Sequence, residues 1–140
     1  MAYSGYLIKL KCGVAENLPL KYIALESYSC TPDQRMESQA TRATTGLLHR
    51  TTVAHKPTKI EFETPAMMTN KDVATLNTLI QGHFTDALQR KLTIEYYDME
   101  TDTYRDATCY MPDVQYKIVR IDKATNLVYY DKLRYAFIEY

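Results

Sequence analysis

The segment TKIEFET, residues 58–64, alternates apolar and charged side chains more regularly than the rest of the sequence. In an extended chain, Ile60 and Phe62 lie on one side and the charged residues beside them lie on the other. A period of two with one apolar face predicts a β-strand that buries one side and exposes the other. Pro65 ends this strand.

Three upstream segments extend the pattern toward the N-terminus. Residues 47–55 are predicted to form a hairpin with residues 58–64 around Lys56 and Pro57, and residues 6–10 and 21–30 are predicted to be the first two strands. Between them, residues 31–46 are almost wholly polar and show no periodicity, which predicts a long loop. Loops of this length usually serve a function or stay disordered, so two interpretations stand: a contact with a neighbouring subunit, or a mobile solvated loop.

Downstream, one helix and several strand pairs are predicted. Thr69 is a suitable N-cap with Asp72 three residues later, and Val73, Leu76 and Ile80 form an apolar stripe, so a flanking helix is expected over about residues 69–84. Further strands are predicted at residues 92–98, 104–111, 114–121, 127–130 and 133–140. The expected fold is a single domain over residues 1–140, mainly β (α+β), with about eight antiparallel strands in a sandwich or partly closed barrel.

The composition limits the classes of function. The chain has 17 basic and 17 acidic residues, so it lacks the positive field that a protein devoted to nucleic-acid binding needs. Thirteen tyrosines against three phenylalanines favour half-buried strands and protein interfaces. Three widely spaced cysteines suit neither a disulfide framework nor a zinc site. The sequence shows no signal peptide and no membrane span, which predicts a protein made in a cytoplasm.

Catalysis and metal binding find little support in the sequence. His49 and His55 would lie about 20 Å apart on one strand, too far for one metal ion. The acidic stretch of residues 98–106 resembles the start of a calcium loop, but Thr103 and Cys109 replace the glycine and glutamate that such a loop requires; a solvated turn is the simpler interpretation. No nucleophile or phosphate-binding motif is present. We therefore expect no catalytic residue, cofactor or metal, and keep an enzyme with a dispersed site as the less favoured alternative.

The order of segments resembles the ring fold of bacteriophage tail-tube and distal-tail proteins, and the chain is similar to small phage and prophage proteins of this length. The resemblance lies in AYSGYLI (2–8), GLLHR (46–50), KIEF (59–62), YMPD (110–113) and AFIEY (136–140). It implies a virion structural subunit in the tail tube, distal tail or baseplate hub. A head–tail connector or a tail-associated host-binding module is the alternative.

That resemblance also implies the partners. The subunits would form a homo-oligomeric ring of six-fold symmetry, bound to neighbouring tail proteins, and genome DNA would pass through the lumen without sequence-specific binding. A ring needs two different patches on each subunit, and the candidates are the polar loop, the tip of the 98–106 hairpin and the exposed tyrosines. The predicted interface residues are Asp33, Arg35, Glu37, Arg42, Glu100, Asp102 and Tyr104.

Overall fold

The computed structural model describes residues 2–35, 37–52 and 54–140; residues 1, 36 and 53, which fall inside predicted segments, lie outside it. Two short 3-10 turns, Leu20–Tyr22 and Leu25–Ser27, accompany one helix, α1 (Asn70–Gln81). The strands are β1 (Ile8–Leu10), β2 (Glu16–Asn17), β3 (Ser29–Thr31), β4 (Glu37–Arg42), β5 (Leu48–Thr52), β6 (Lys59–Glu63), β7 (Met68–Thr69), β8 (Lys91–Asp98), β9 (Thr103–Tyr110), β10 (Ile118–Asp122), β11 (Leu127–Tyr130) and β12 (Arg134–Glu139). The prediction of a mainly β, antiparallel fold with one flanking helix is confirmed.

The strands form three sheets of different size. The main sheet has the order β2-β1-β8-β9-β12-β6-β3, a second sheet has the order β10-β11-β7, and β4 pairs with β5 in a third. Within the described residues, β2 and β3 are the two edges of the main sheet, so this sheet is open and no closed barrel forms. The architecture is consistent with a β-sandwich.

The hydrophobic core joins the apolar face of the main sheet to α1. Strand β8 buries every second residue, as the alternating pattern predicts. Val73, Leu76 and Ile80 of α1 are buried in the same cluster, and Tyr135 donates a hydrogen bond from its hydroxyl to Asn77 Oδ1 at 2.7 Å. The Thr69 side chain caps α1 by accepting from the Asp72 amide at 3.3 Å. The helix therefore lies where its stripe predicts.

Residues 21–30, predicted as one strand, are instead two 3-10 turns followed by β3. The alternation there never separated apolar from polar residues, so no strand register could bury all the apolar ones. The turns bury Tyr22, Ile23 and Tyr28 while Leu25 stays 62% exposed. Pro19 precedes the first turn, and Tyr28 donates from its hydroxyl to the Tyr97 carbonyl at 2.9 Å. Irregular backbone here brings the large side chains onto the core.

The predicted hairpin of residues 47–55 with residues 58–64 is also wrong. Strand β6 pairs with β12 and β3, whereas β5 pairs with β4. Strand β6 has an apolar face and belongs in the main sheet, but β5 is exposed at every residue and has no face to bury. Its partner β4 lies in the middle of residues 31–46, so six residues of the long polar loop predicted there form a strand.

Candidate subunit interface

Arg105 joins two of the predicted interface segments within the same chain. Its Nη1 and Nη2 donate to Asp33 Oδ2 and Oδ1, both at 3.0 Å, and Nη1 also donates to Asp98 Oδ2 at 3.2 Å. The Asp98 side chain is 1% exposed, whereas those of Arg105 and Asp33 are 38% and 40% exposed. We call this group the arginine clamp. It fixes residue 33, just before β4, to the β8–β9 hairpin.

The electrostatics of the clamp follow from this geometry. The hydrogen bonds from Arg105 lower the pKa of Asp33, and the same bonds raise the pKa of Arg105. Asp98 also accepts from the Glu100 amide at 2.9 Å and from the Thr101 hydroxyl at 3.3 Å. Its carboxylate is therefore committed to protein donors, which supports a structural turn over a calcium loop. Glu100 itself keeps an exposed side chain.

Tyr104 belongs to a cluster of aromatic rings beside the clamp, and Asp102 accepts a hydrogen bond from one of these rings. Tyr104 stacks on Tyr6 with 4.5 Å between centroids, and its hydroxyl donates to the Tyr6 carbonyl at 2.7 Å. Tyr97 lies 5.6 Å from Tyr104 and donates to Asp102, and Tyr3 contacts Tyr97 edge-on at 5.7 Å. We call Tyr3, Tyr6, Tyr97 and Tyr104 the tyrosine cluster. Tyr104 thus anchors the N-terminal segment to the sheet.

One member of this cluster is also tied to a carboxylate. The Tyr6 hydroxyl donates to Glu95, and this bond, with partial burial, raises the pKa of Tyr6 to about 12. The phenol is therefore a stable donor at neutral pH. The hydroxyls of Tyr6, Tyr97 and Tyr104 all donate to acceptors of the chain itself, which orients these three rings.

The remaining predicted residues lie on or beside the β4–β5 hairpin. Glu37 forms an ion pair with Arg50 across the two strands, and Arg42 Nη1 donates to the Gly46 carbonyl at 3.0 Å. Arg35 precedes β4 and is exposed. Gly46 has a φ of +89°, which a residue without a side chain adopts at little cost in this tight turn. The backbone ladder between β4 and β5 sets the register of these strands, and the Glu37–Arg50 ion pair and the Arg42 hydrogen bond add to it.

This hairpin stands apart from the rest of the fold. All side chains of β5 are exposed, and so are Glu37, Gln39, Thr41 and Arg42 of β4. In the described part of the chain, β4 and β5 pair with each other and with no third strand. At the turn, Leu47 and Leu48 are 68% and 45% exposed. The structure thus presents a two-stranded arm with apolar residues beyond its turn.

A model of a family of unknown function, DUF6711, matches residues 1–140. The chain belongs to this family. No curated protein matches it in sequence.

A second exposed hairpin of this DUF6711 chain was not selected from the sequence. Strand β10 is the outer strand of the three-stranded sheet, and Ile118, Val119 and Ile121 on it are 58%, 54% and 57% exposed. A signal was available in the sequence. Apolar residues at both odd and even positions of a strand need cover on both faces, and the contacts of α1 in this sheet are with β7 and β11.

Two of the three histidines contact backbone carbonyl oxygens, and the third is exposed. His83 is buried, and its Nδ1 and Nε2 lie 2.9 and 3.0 Å from the carbonyls of Leu79 and Val14. His49 is exposed on β5, and His55 contacts the Tyr140 carbonyl. Among the described residues, no three metal-ligating side chains converge. No described helix has the length and apolar character needed to cross a membrane.

A charged cleft of about 380 Å³ lies between the start of β12 and the segment before β10. Asp113, Lys117, Asp131, Lys132 and Arg134 line it. None of these residues carries a thiol, an aliphatic hydroxyl or an imidazole. This cleft therefore supplies no argument for nucleophilic catalysis.

Proposed function

We propose that this protein is a structural subunit of a bacteriophage or prophage-derived tail that assembles into a ring in the tail tube, distal tail or baseplate hub. Neighbouring tail proteins would bind the ring, and genome DNA would pass through its lumen without sequence-specific contacts. The resemblance in segment order motivates the proposal. The observation that carries it is the exposed β4–β5 hairpin.

A two-stranded hairpin on its own is marginally stable in water, because it has no apolar face to bury. The β4–β5 hairpin nevertheless exposes Leu47 and Leu48 beside its turn. A neighbouring subunit that covers this arm would remove those side chains from water and complete the sheet. This explanation accounts for both the polar composition of β4 and its extended conformation.

The base of the arm is held firmly, as a projecting contact requires. Asp33, which precedes β4, is fixed by the arginine clamp, and its amide donates to Thr58 Oγ1 at 3.1 Å. Gln34 donates from its amide to the Pro57 carbonyl at 2.9 Å. The segment before β4 is thus attached to Pro57 and Thr58, which follow β5 in the chain, and to Arg105 of β9.

A neutral chain also suits this role. With equal numbers of acidic and basic residues, the subunit offers no strong field that would hold DNA in the channel. The ion pair of Glu37 with Arg50 on the arm is exposed and weak. Residues of this kind can exchange partners at an interface with little cost.

The test is assembly of the purified chain, alone and coexpressed with adjacent tail proteins, followed by negative-stain microscopy and sedimentation velocity. We expect rings for the wild-type chain in at least one of these settings. The double variant Leu47→Glu/Leu48→Glu should remain folded and form no rings. Leu88→Glu is the matched control, because Leu88 is 95% exposed and lies outside the arm.

Two outcomes would contradict the proposal. One is a wild-type chain that stays monomeric even with the adjacent tail proteins present. The other is a ring that forms equally well with the Leu47→Glu/Leu48→Glu variant. Circular dichroism of each variant separates loss of assembly from loss of folding.

The tyrosine cluster favours a second candidate, a tail-associated host-binding module. Tyr3 is 47% exposed at the rim of the cluster, and rigid exposed aromatic rings are common contact residues. An isolated subunit with this function should bind glycans or host-surface proteins on an array. Binding that Tyr3→Ala abolishes would favour this candidate over the ring subunit.

A further inference from the structure

Strand β10 has an open edge that is suited to pairing with another strand. It ends the three-stranded sheet, so its outer edge carries backbone groups that no strand in the described part of the chain satisfies. Exposed edges with apolar side chains pair readily with other strands, and most proteins protect them with charge, proline or a bulge. In β10, three of five side chains are apolar and more than half exposed.

Two protective features are present, but they leave one half of the strand open. A register shift between Ile118 and Arg120 marks a β-bulge at the start of β10, which disfavours pairing there. Arg120 lies 3.6 Å from Asp122 and 4.8 Å from the centre of the Tyr129 ring. The charge of Arg120 is therefore already balanced. The outer edge of the regular stretch that follows the bulge, residues 120–122, is therefore open to pairing with another strand.

We propose that two copies of this chain pair antiparallel through β10, with Ile121 of each copy at the two-fold axis. In this register, Arg120 of each copy lies opposite Asp122 of the other, and the two Ile121 side chains face each other. Opposite charges and apolar pairs at directly opposed positions stabilise antiparallel strands. The sequence around Ile121 is thus complementary to itself, as an isologous interface requires.

This complementarity selects a second copy as the occupant of the edge. If the axis moves by one residue to Arg120, two arginines oppose each other, which is destabilising. With the axis at Ile121, the two three-stranded sheets join into one continuous sheet of six strands. The contact uses main-chain hydrogen bonds for affinity and side-chain pairs for register. It goes beyond the proposed ring function, because it uses a different surface from the β4–β5 arm.

The decisive experiment uses two variants that should fail separately and succeed together. Arg120→Asp places two aspartates opposite each other in a homodimer, and Asp122→Arg places two arginines opposite each other. A mixture restores both pairs, because the aspartates of one copy face the arginines of the other. Sedimentation velocity should give the mass of single 16.2 kDa chains for each variant alone and twice that mass for the equimolar mixture.

Crosslinking tests the register directly. Ile121→Cys puts two thiols at the axis, at a separation that antiparallel strands and disulfides share. This variant should form a covalent dimer on mild oxidation. Val119→Cys is the control, because the two residues 119 would be about four positions apart along the strands, roughly 13 Å, beyond the reach of a disulfide.

Several results would overturn the inference. They are a wild-type chain that stays monomeric at all concentrations, variants that dimerise as the wild type does, a mixture that does not dimerise, or equal crosslinking at residues 119 and 121. Ring assembly is read separately, by microscopy of the Leu47→Glu/Leu48→Glu variant. Failure of the β10 contact therefore leaves the proposed function standing, and failure of the ring leaves the β10 contact standing.

Discussion

Replacement of Arg105 by alanine should destabilise the subunit mainly through Asp98. The Asp98 carboxylate is 1% exposed, and without the guanidinium its remaining donors are the Glu100 amide and the Thr101 hydroxyl. Removal of one partner leaves a buried charge without its counterion, which is costly. The pair with Asp33 is much more exposed, and exposed pairs contribute little. We therefore expect the two carboxylates to respond very differently.

The expected loss in free energy of unfolding depends on how far the side chains of the arginine clamp are exposed. Breaking a fully buried pair costs about 3 to 5 kcal/mol, and we take roughly half of this because the Arg105 side chain is 38% exposed. The exposed Asp33 pair adds about 0.5 kcal/mol. Arg105→Ala should thus lower the free energy of unfolding by about 2 to 3 kcal/mol. Arg105→Lys keeps the charge but loses the paired hydrogen bonds of the planar guanidinium, and it should lower the free energy of unfolding by about 1 kcal/mol.

Urea denaturation followed by circular dichroism measures these changes as shifts in midpoint at constant slope. Double-mutant cycles separate the pairs. The coupling of Arg105→Ala with Asp98→Asn should be about 2 kcal/mol, and that with Asp33→Asn about 0.5 kcal/mol. A coupling to Asp33 that equals or exceeds the coupling to Asp98 would refute the reasoning.

The pH dependence of the clamp has a defined sign. Because Arg105 lowers the pKa of Asp33 below its ordinary value of 3.8, the contribution of this pair is complete above pH 3.8. It is lost as the pH falls through the lowered value in the folded state. The difference in stability between the wild type and Asp33→Asn should therefore shrink below pH 3.8 and stay constant above pH 5. A difference that grows in acid would contradict the assigned pairing.

Three further predictions concern the scaffold. Thr69→Ala removes the side chain that accepts from the Asp72 amide and should cost about 1 kcal/mol in urea denaturation, whereas Thr69→Ser should cost much less. Burial raises the pKa of the Cys109 thiol to about 12. A thiol reagent at pH 8 should therefore label Cys109 far more slowly than the half-buried Cys12 until urea unfolds the chain. Equal labelling rates in the native protein would argue against the burial of Cys109. Phe137→Ala opens a cavity at a fully buried position and should cost about 3 to 5 kcal/mol by the same denaturation assay, and a loss below 1 kcal/mol would show that β12 is not central.

The candidate site was foreseen only in part, because local patterns carry no information on long-range pairs. The tip of the β8–β9 hairpin and the segment near residue 33 were both selected as polar and turn-like. Their connection was not foreseen, since Arg105 and Asp33 are 72 positions apart. The tyrosine count predicted contact surfaces, but the stacking of Tyr6 on Tyr104 joins the segment before β1 to the distant strand β9. The sequence predicts β10 as a strand but not that it lies at the edge of a sheet, because strand order depends on long-range pairing.

What the sequence by itself determined was each element whose register is set by near neighbours. Helix α1 with its cap, the β8–β9 and β10–β11 hairpins, and strand β12 were all predicted, because short turns and apolar periodicity act over a few residues. Tertiary structure alone decided which strands met across long separations. In it, β6 pairs with β12 and β3, and β5 pairs with β4. Residues 21–30 form two turns and the start of β3. The reason is competition for one limited apolar surface: β6, which has an apolar face, entered the main sheet, and β5, which is exposed at every residue, paired outside it.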